Sequence, residues 1–527
     1  MADTLLVTDH TAPTPRSSGI FWLRAATCLL FGSLLSAAFP PVGVWPTVFG
    51  LIVLFALVAR SPTSREAFAP GFWFGLGFFA SHLFWLPNSL SDPNLFGPVA
   101  WVMYPPIVLI EGVFWGIVTG GSRFLGRRGA GTLLFLPALW LLMAWASTQG
   151  VFAFPWGSLG YVWLGTPLAQ FADVSGSYGL SFVTLVVTAL LAVPFLGGGR
   201  RAVFASATSV LVAALLTAGV SVYSRERLAE PVPVPNQQAL LVQGNTDPLE
   251  RAQGTSSDLD IYAPLTARAL QDLPVKPGLV VWPEGAVLGF NVEIEGVNGE
   301  ETRRRIQNSA GDAAVITGAG VGSYNSVYGL SDATITGRYD KVYLVPFGEG
   351  IPFNQALLPV YTVVYGWFNL GPYGRLPGTA FNPIPTSAAT AATYVCYESV
   401  FPQVAWRMVA RGADVLVNIS NDAWFGRGNG AEQHFAMGTM RAIETRRYLL
   451  RVGNDGVTAV VDPQGRTLQR LERHIPASLL ADYATSDVVT LYVRYGDWLI
   501  VAVAVYALLL AALLLPQRSR MRREQPL

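Results

Sequence analysis

Eight apolar runs, each about as long as a membrane-spanning helix, constrain this chain more than any other feature. The hydrocarbon core of a bilayer needs about 20 apolar residues per helix. We therefore predict a multi-pass α-helical membrane domain with about eight spans, seven before a more polar central segment and one after it. The predicted spans are residues 20–39, 43–59, 71–89, 98–120, 130–148, 178–197, 202–222 and 495–515.

The distribution of charge divides the chain in the same way. Charged residues make up 13% of the sequence, about half of what soluble domains carry, and they concentrate in the central segment. We predict a membrane domain at 1–222 with seven spans, a globular domain at 223–494, and the eighth span with an Arg-rich tail at 495–527. A net charge of +1 gives no electrostatic footprint for nucleic acid.

Arginine is distributed unevenly between the two sets of short loops. Cytoplasmic loops carry an excess of Lys and Arg. The loops at 40–42, 90–97 and 149–177 contain neither residue, so we predict that they lie outside the cytoplasm. Seven spans then place residues 223–494 on the extracytoplasmic side as well. The basic residues of the opposite side are Arg60, Arg65, Arg123, Arg127, Arg128, Arg200, Arg201, Arg518, Arg520, Arg522 and Arg523.

The central segment alternates short apolar runs with helical patterns, which is typical of a layered α/β domain. About 270 residues suffice for one substantial core. The predicted helices are Pro402–Arg411 and Ala431–Arg451. The predicted strands are Ala239–Val242, Leu279–Trp282, Ala313–Thr317, Thr393–Cys396 and Asp414–Ile419.

Three predicted strand ends carry side chains suited to acyl transfer. Glu284 follows Val281-Trp282-Pro283, Lys341 precedes Val342-Tyr343-Leu344, and Cys396 ends a strand; Lys341 is one of only two lysines in the chain. A thiol needs a base to become a thiolate, and a cation stabilises both the thiolate and the oxyanion of a tetrahedral intermediate. The three side chains could supply these roles if the fold brings them together.

Further motifs accompany these three residues: Val242–Asn245, Leu344–Glu349, Cys396–Glu398, Asn418–Gly426 and Arg451 with Asn454 and Gly456. The order Glu–Lys–Cys resembles the carbon–nitrogen hydrolase (nitrilase) superfamily, and these motifs resemble the apolipoprotein N-acyltransferase family in particular. That resemblance implies an α-β-β-α sandwich with Glu284 as general base, Lys341 as stabiliser and Cys396 as nucleophile. It also implies supporting or substrate-binding roles for Glu349, Tyr397 and Glu398, and no metal or cofactor.

The resemblance implies a ping-pong acyl transfer in a bacterial plasma membrane. The acyl donor would be a phospholipid, and the acceptor would be the α-amine of the N-terminal S-diacylglyceryl cysteine of apolipoproteins. The chain departs from the family between Thr246 and Gly254, where it lacks the expected Trp, and between Gly285 and Leu288, where it lacks a hydroxyl residue followed by Pro. Substrate preference is therefore less constrained than the reaction.

Two alternatives stay open at this point: a membrane-tethered amidase or hydrolase of the same superfamily, and a scaffold for a polyprenol-phosphate mannosyltransferase. Several side chains also have two readings. The aromatic segment 351–373 is either a lid or membrane-dipping arm, or it packs in the ordinary core. We expect Trp424 in the core and His434 as a structural residue. His82 and Glu111 are ionisable residues inside predicted spans.

Overall fold

The computed structural model describes residues 18–90, 97–246, 259–287, 292–293, 297–366, 374–426 and 428–514. Within these residues, the amino-terminal part of the chain is helical. The tail arginines from Arg518 onward lie outside the described residues. The helices up to residue 229 are α1 (Ser18–Ser36), α2 (Gly50–Arg60), α3 (Ser64–His82), α4 (Trp85–Leu90), α5 (Ala100–Gly126), α6 (Ala130–Ala146), α7 (Ala172–Ala192) and α8 (Arg200–Ala229).

Five helical segments in the described chain are long and apolar enough to cross a membrane, and three shorter apolar helices fall on the remaining predicted spans. The chain is thus a membrane protein, and the number of spans stays a prediction. The long segments are Gly19–Ser36, Ser64–Ser89, Ala100–Gly126, Pro167–Phe195 and Arg200–Ala229, and the shorter ones are Trp45–Arg60, Ala130–Ala146 and Trp498–Leu514.

Helices α1, α3 and α5 pack closely through small residues. A Cβ on Gly77 of α3 would lie 2.9 Å from the backbone carbon of Leu29 in α1, closer than a real side chain could stand. Small residues let helix backbones approach in lipid, where no hydrophobic effect drives helices together. The glycine-rich sequence of α3 therefore encodes its contact with its neighbour.

The described residues of the globular domain form two six-stranded sheets. One has the strand order β12-β1-β2-β3-β4-β5 and the other β11-β10-β9-β8-β7-β6. The strands are β1 (Gln237–Gln243), β2 (Leu279–Val281), β3 (Ala314–Val321), β4 (Tyr324–Ser331), β5 (Thr334–Asp340), β6 (Ile384–Pro385), β7 (Thr390–Val395), β8 (Val415–Ser420), β9 (Leu449–Gly453), β10 (Ala459–Val461), β11 (Thr467–Arg470) and β12 (Ala477–Tyr483).

The helices after residue 246 flank these sheets. They are α9 (Leu259–Gln271), α10 (Val297–Ala310), α11 (Asn354–Gly366), α12 (Pro402–Val409), α13 (Gly430–Thr445), α14 (Leu491–Tyr495) and α15 (Trp498–Leu514). Helices α9 and α10 contact the first sheet, and α12 contacts the second.

Alternation along the strands produces the layers. In β1, Leu241 packs into the core that also contains Leu416 of the second sheet. The intervening Leu240 packs into a separate core with Tyr262 of α9 and Ile306 of α10. Because successive side chains of a strand face opposite sides, one face of the first sheet meets the second sheet and the other meets helices. The predicted α-β-β-α sandwich is confirmed.

Helix α13 joins the sandwich to the membrane helices. Helix α7 is broken at Ser175 and Gly176, which have non-helical backbone angles. The backbone N–H of Ser177, which begins the second part, donates to Oε1 of Glu444 in α13 at 2.7 Å. A carboxylate at a helix amino terminus satisfies a donor that the helix leaves free, so Glu444 fixes the globular domain to α7.

Two sequence-based expectations are wrong in detail. The helix predicted for Ala431–Arg451 ends at Thr445, because Arg446 adopts a left-handed φ of 54° and the chain then enters β9. Trp424 was expected in the core, but it is 43% exposed. It lies in a short 3₁₀ turn, Asp422–Phe425, where Asp422 rather than the indole points inward.

Candidate active site

The three residues predicted at strand ends lie together between the two sheets. Glu284 follows β2, Lys341 follows β5 and Cys396 follows β7. The Nζ atom of Lys341 is 3.6 Å from Oε1 of Glu284, and both groups act electrostatically on the Cys396 thiol. The sheets bring their strand ends to one place, so residues more than 110 positions apart in sequence share a site.

Glu284 is held by donors from both sheets. Its Oε1 accepts from Nδ2 of Asn325 at 2.8 Å, and its Oε2 accepts from the backbone N–H of Asn421 at 3.0 Å. Gly318 of β3 makes room for this turn, because a Cβ there would lie 2.8 Å from the Cα of Glu284. The carboxylate is therefore fixed while its side chain stays 13% exposed.

Lys341 is fully buried and paired with a second carboxylate, Glu349. Its Nζ lies 2.6 Å from Oε2 of Glu349. Burial acts to lower the pKa of Lys341, but Glu349 and Glu284 outweigh it and raise the pKa above the ordinary value. Burial acts to raise the pKa of Glu349, and Lys341 with the amide donors Val345 and Asn325 lowers it overall. The pair is a permanent ammonium–carboxylate pair.

Asn325 links the two carboxylates and was not predicted from the sequence. Its Nδ2 donates to Oε1 of Glu284 at 2.8 Å and to Oε1 of Glu349 at 2.7 Å, and its carbonyl accepts from the backbone N–H of Lys341 at 2.9 Å. An Asn in a strand has no local signal for such a role, since the bonds depend on which strands pair. Asn325 keeps two like charges in fixed positions around one ammonium.

Cys396 occupies a strained backbone position. Its φ is +47°, a left-handed angle that is uncommon for residues other than glycine. Burial and the Glu284 carboxylate raise the pKa of its thiol, while Lys341 acts to lower it. The resting sulfur is therefore a protonated thiol, and nucleophilic attack requires a base that takes the proton as the reaction proceeds.

Glu398 is fully buried and holds two segments of the site together. Its Oε1 accepts from the Tyr339 hydroxyl at 2.6 Å and from the backbone N–H of Val342 at 2.7 Å, and its Oε2 accepts from the N–H of Val395 at 2.9 Å. These bonds connect the segment after Lys341 with the strand before Cys396. Burial raises the pKa of Glu398 to about 6 against the lowering effect of these donors.

Tyr397, the neighbour of Cys396 in sequence, bonds to the amino-terminal part of the chain. Its hydroxyl donates to the carbonyl of Ala153 at 2.8 Å, in the predicted loop at 149–177. Burial and the carboxylate of Glu111 raise the pKa of Tyr397 well above its ordinary value. Glu111, whose role was open, therefore lies close enough to Tyr397 to act on its hydroxyl electrostatically.

Cys396, Asp422 and His434 form the group among the described residues whose ligand atoms lie within 4.8 Å of one another, as a metal site requires. Asp422 is already engaged: Arg451 donates to its Oδ2 at 2.7 Å and the Ser420 hydroxyl to its Oδ1 at 2.6 Å. Burial acts to raise the pKa of Asp422, but Arg451 and His434 hold it below the ordinary range. These bonds make the group a structural network, and we assign no metal to it.

Asn454 forms hydrogen bonds that connect separate segments around the site. Its Oδ1 accepts from the N–H of Thr246 at 2.9 Å and from the Tyr262 hydroxyl at 2.7 Å. Its Nδ2 donates to the Thr246 carbonyl at 2.7 Å and to Oδ1 of Asn421 at 3.2 Å. One side chain thus connects the end of β1, the turn that holds Glu284 and the end of β9.

The segment predicted as a lid or core begins with an apolar helix. Helix α11 exposes apolar side chains, with Val360 and Val363 each 56% exposed. Phe353, just before it, lies 5.7 Å between ring centroids from Phe152 of the predicted 149–177 loop. The exposed face argues against a core role for 356–363. Trp367, Phe368 and Tyr373 lie outside the described residues.

Comparison with known proteins is consistent across both halves of the chain. The family described as Apolipoprotein N-acyltransferase N-terminal domain matches residues 31–190, and the family Carbon-nitrogen hydrolase matches residues 241–488. Apolipoprotein N-acyltransferase from Geobacter metallireducens is 30% identical over 93% of this chain and 95% of its own length. The protein of that name from Chromobacterium violaceum is 31% identical over 97% and 98% respectively.

Among solved structures, an amidase from Nesterenkonia sp. is 19% identical to this chain, with a TM-score of 0.36. The similarity covers 50% of this chain and 95% of the amidase.

Proposed function

Because the chain belongs to the apolipoprotein N-acyltransferase family, we propose that it transfers an acyl chain from a membrane phospholipid to a lipoprotein. The acceptor is the α-amino group of the N-terminal S-diacylglyceryl cysteine, and the product is a triacylated lipoprotein. One observation carries the proposal for the site. Lys341 is clamped between Glu349 and Glu284, within electrostatic reach of the Cys396 thiol.

In the first half-reaction, Glu284 takes the thiol proton as the sulfur of Cys396 attacks the ester carbonyl of the phospholipid. Lys341 stabilises the negative charge that develops on the carbonyl oxygen. The ester C–O bond then breaks, and protonated Glu284 returns the proton to the departing alkoxide. Lysophospholipid leaves, and the acyl chain remains on Cys396 as a thioester.

In the second half-reaction, the neutral α-amine of the diacylglyceryl cysteine attacks the thioester carbonyl. Glu284 accepts a proton from the attacking nitrogen, and Lys341 again stabilises the oxyanion. The C–S bond breaks, an amide forms, and the proton on Glu284 returns to the sulfur. The two carboxylates have different roles in this mechanism: Glu349 holds the Lys341 ammonium at 2.6 Å, and Glu284, whose Oε1 is 3.6 Å from that ammonium, acts as the base.

The position of the site supports two lipid substrates. Ala153, from the predicted loop at 149–177, bonds to Tyr397 beside the nucleophile, and α11 exposes apolar side chains nearby. We propose that residues 223–494 lie on the extracytoplasmic face and that α11 contacts the bilayer surface. We also propose supporting roles for Glu349, which holds Lys341, and for Tyr397 and Glu398, which hold the nucleophile strand.

The full-length relatives named above carry acyltransferase names, and nothing described here favours the hydrolase or the mannosyltransferase-scaffold alternative. Mass spectrometry of lipoprotein N-termini, in cells with and without this protein, tests the proposal. We expect the N-terminal cysteine to carry an amide-linked acyl chain only when the protein is present. An unchanged, fully N-acylated lipoprotein in its absence would overturn the proposal.

A further inference from the structure

His434 contacts the backbone of the nucleophile, although its side chain is fully buried and cannot meet substrate. Its Nε2 lies 2.9 Å from the carbonyl oxygen of Cys396. That residue has the left-handed φ of +47° described above. A strained angle of this kind persists only where surrounding contacts hold it. The bond from His434 is one such contact.

The partners of the ring show that Nε2 carries a proton. A carbonyl oxygen only accepts, so Nε2 must be the donor toward Cys396. Nδ1 lies 3.0 Å from Nη2 of Arg451, which only donates, and 3.0 Å from Oδ1 of Asp422, which only accepts when ionised. Nε2 donates to Cys396 in both the neutral and the charged form of the ring that these neighbours allow. His434 is thus a fixed donor aimed at the nucleophile's backbone.

The preceding residue on α13, Gln433, is bonded to the membrane domain. Its Oε1 accepts from the indole Nε1 of Trp85 at 2.9 Å and from that of Trp156 at 2.8 Å. Its Nε2 donates to the carbonyl of His82 at 3.2 Å. Trp85 begins α4, Trp156 lies in the predicted 149–177 loop, and His82 ends α3. One amide therefore gathers three membrane-domain segments beside the residue that holds Cys396.

We propose that Gln433 and His434 form a positioning pair, through which the backbone position of Cys396 depends on the contact between α13 and the membrane domain. Gln433 fixes the position of the first turn of α13 relative to Trp85 and Trp156, and His434 in turn fixes the position of the Cys396 carbonyl. Trp156 also stacks on the His434 ring, with centroids 6.3 Å apart. The inference rests on the proposed function only in taking Cys396 as the nucleophile.

Two substitutions of His434 separate positioning from packing. The side-chain amide nitrogen of Gln lies about as far from the backbone as Nε2 of His434, whereas the amide nitrogen of Asn lies only as far from it as Nδ1. With phospholipid alone, His434→Gln should form the acyl-enzyme within about threefold of the wild-type rate constant, and His434→Asn should lose about 10- to 100-fold. The amplitude of acyl-enzyme formation reports how much protein is folded. If His434 had a purely structural role, its substitution would lower this amplitude and leave the rate constant of the folded fraction unchanged.

Gln433→Met tests the membrane-domain side without touching the catalytic residues. It should lower the same rate constant at least about fivefold and leave the phospholipid concentration at half-saturation unchanged. Gln464→Met is the matched control, because Gln464 also donates through its side-chain amide to two backbone carbonyls of another element, those of Leu228 and Glu230 at the carboxyl end of α8. It should keep the wild-type rate constant.

Equal rate constants for His434→Gln and His434→Asn, or for Gln433→Met and Gln464→Met, would overturn the positioning pair. If neither His434 variant folds, the Gln433 comparison decides alone. Complete absence of acyl-enzyme in the wild-type protein would instead refute the proposed function, so the two failures are distinguishable.

Discussion

At the scale of single residues, Lys341 shows why an ammonium stands where this chain otherwise uses arginine. All but two of its 35 Lys and Arg residues are Arg. Lys341 is buried between two carboxylates at 2.6 and 3.6 Å. A compact ammonium fits between them, whereas the planar guanidinium is larger and directs its donors differently.

We therefore expect Lys341→Arg to insert and fold but to lose at least about 10²-fold in the rate of acyl-enzyme formation, as removal of an oxyanion donor typically does. Lys276→Arg is the matched control, because Lys276 lies at the surface and donates to the Leu273 carbonyl at 3.0 Å. Single-turnover kinetics with phospholipid measures both. A near-normal rate for Lys341→Arg would reduce Lys341 to a general positive charge.

Glu398 gives the site a pH dependence whose direction follows from its bonds. Only the carboxylate accepts from all of its donors, and its pKa is raised to about 6 by burial. As the pH falls through about 6, the carboxyl of Glu398 gains a proton. The protonated oxygen can no longer accept as the carboxylate does from the N–H groups of Val342 and Val395. We expect acyl-enzyme formation to slow over that range in a pH–rate profile.

Glu398→Gln mimics the protonated state and should be slow at every pH, without an inflection near 6. If the inflection remains in Glu398→Gln, another group is responsible for it.

At the scale of elements, the spans and strands follow from local pattern, but the bonds between elements do not. Apolar runs anticipated the seven longer helices before the globular domain and the strands β1, β2, β3, β7 and β8, but they did not anticipate the break between α3 and α4 inside the predicted span 71–89. The helix predicted for Ala431–Arg451 failed because no strong breaker marks Arg446. The roles of Asn325, Gln433 and Asn454 were invisible, since each depends on which strands and helices become neighbours.

Glu284, Lys341 and Cys396 were identified mainly through family resemblance. The physical argument from strand ends offered only suitable side-chain types. Trp424 was misplaced for the converse reason: an apolar side chain predicts burial in general, and a short turn can still leave it exposed.

Asn454 is the element-scale contact with the clearest consequence. Replacing it with Leu removes its hydrogen bonds with the Thr246 N–H, the Tyr262 hydroxyl and the Thr246 carbonyl. We expect Asn454→Leu to cost about 2–4 kcal/mol of stability, seen as a lower thermal midpoint in detergent. Asn308→Leu, at an exposed position in α10, should not shift it. An unchanged midpoint for Asn454→Leu would contradict its connecting role.

At the scale of the whole molecule, the account requires the site to face the compartment where both lipid substrates are available. The Arg-free loops predict that residues 223–494 lie outside the cytoplasm. Glu301→Cys in α10 and Arg128→Cys after α5, both exposed positions, should then respond oppositely to a membrane-impermeant thiol reagent on intact cells. We expect labelling of Glu301→Cys alone. Labelling of both variants, or of Arg128→Cys alone, would contradict this topology.

The central claim is that Cys396 carries the acyl group, and intact-mass analysis of the purified protein tests it most directly. After incubation with phospholipid and no lipoprotein, we expect a mass increase of one acyl chain that neutral hydroxylamine removes. Cys396→Ala should show neither adduct nor transfer. The absence of an adduct while transfer proceeds, or full transfer activity in Cys396→Ala, would contradict the account.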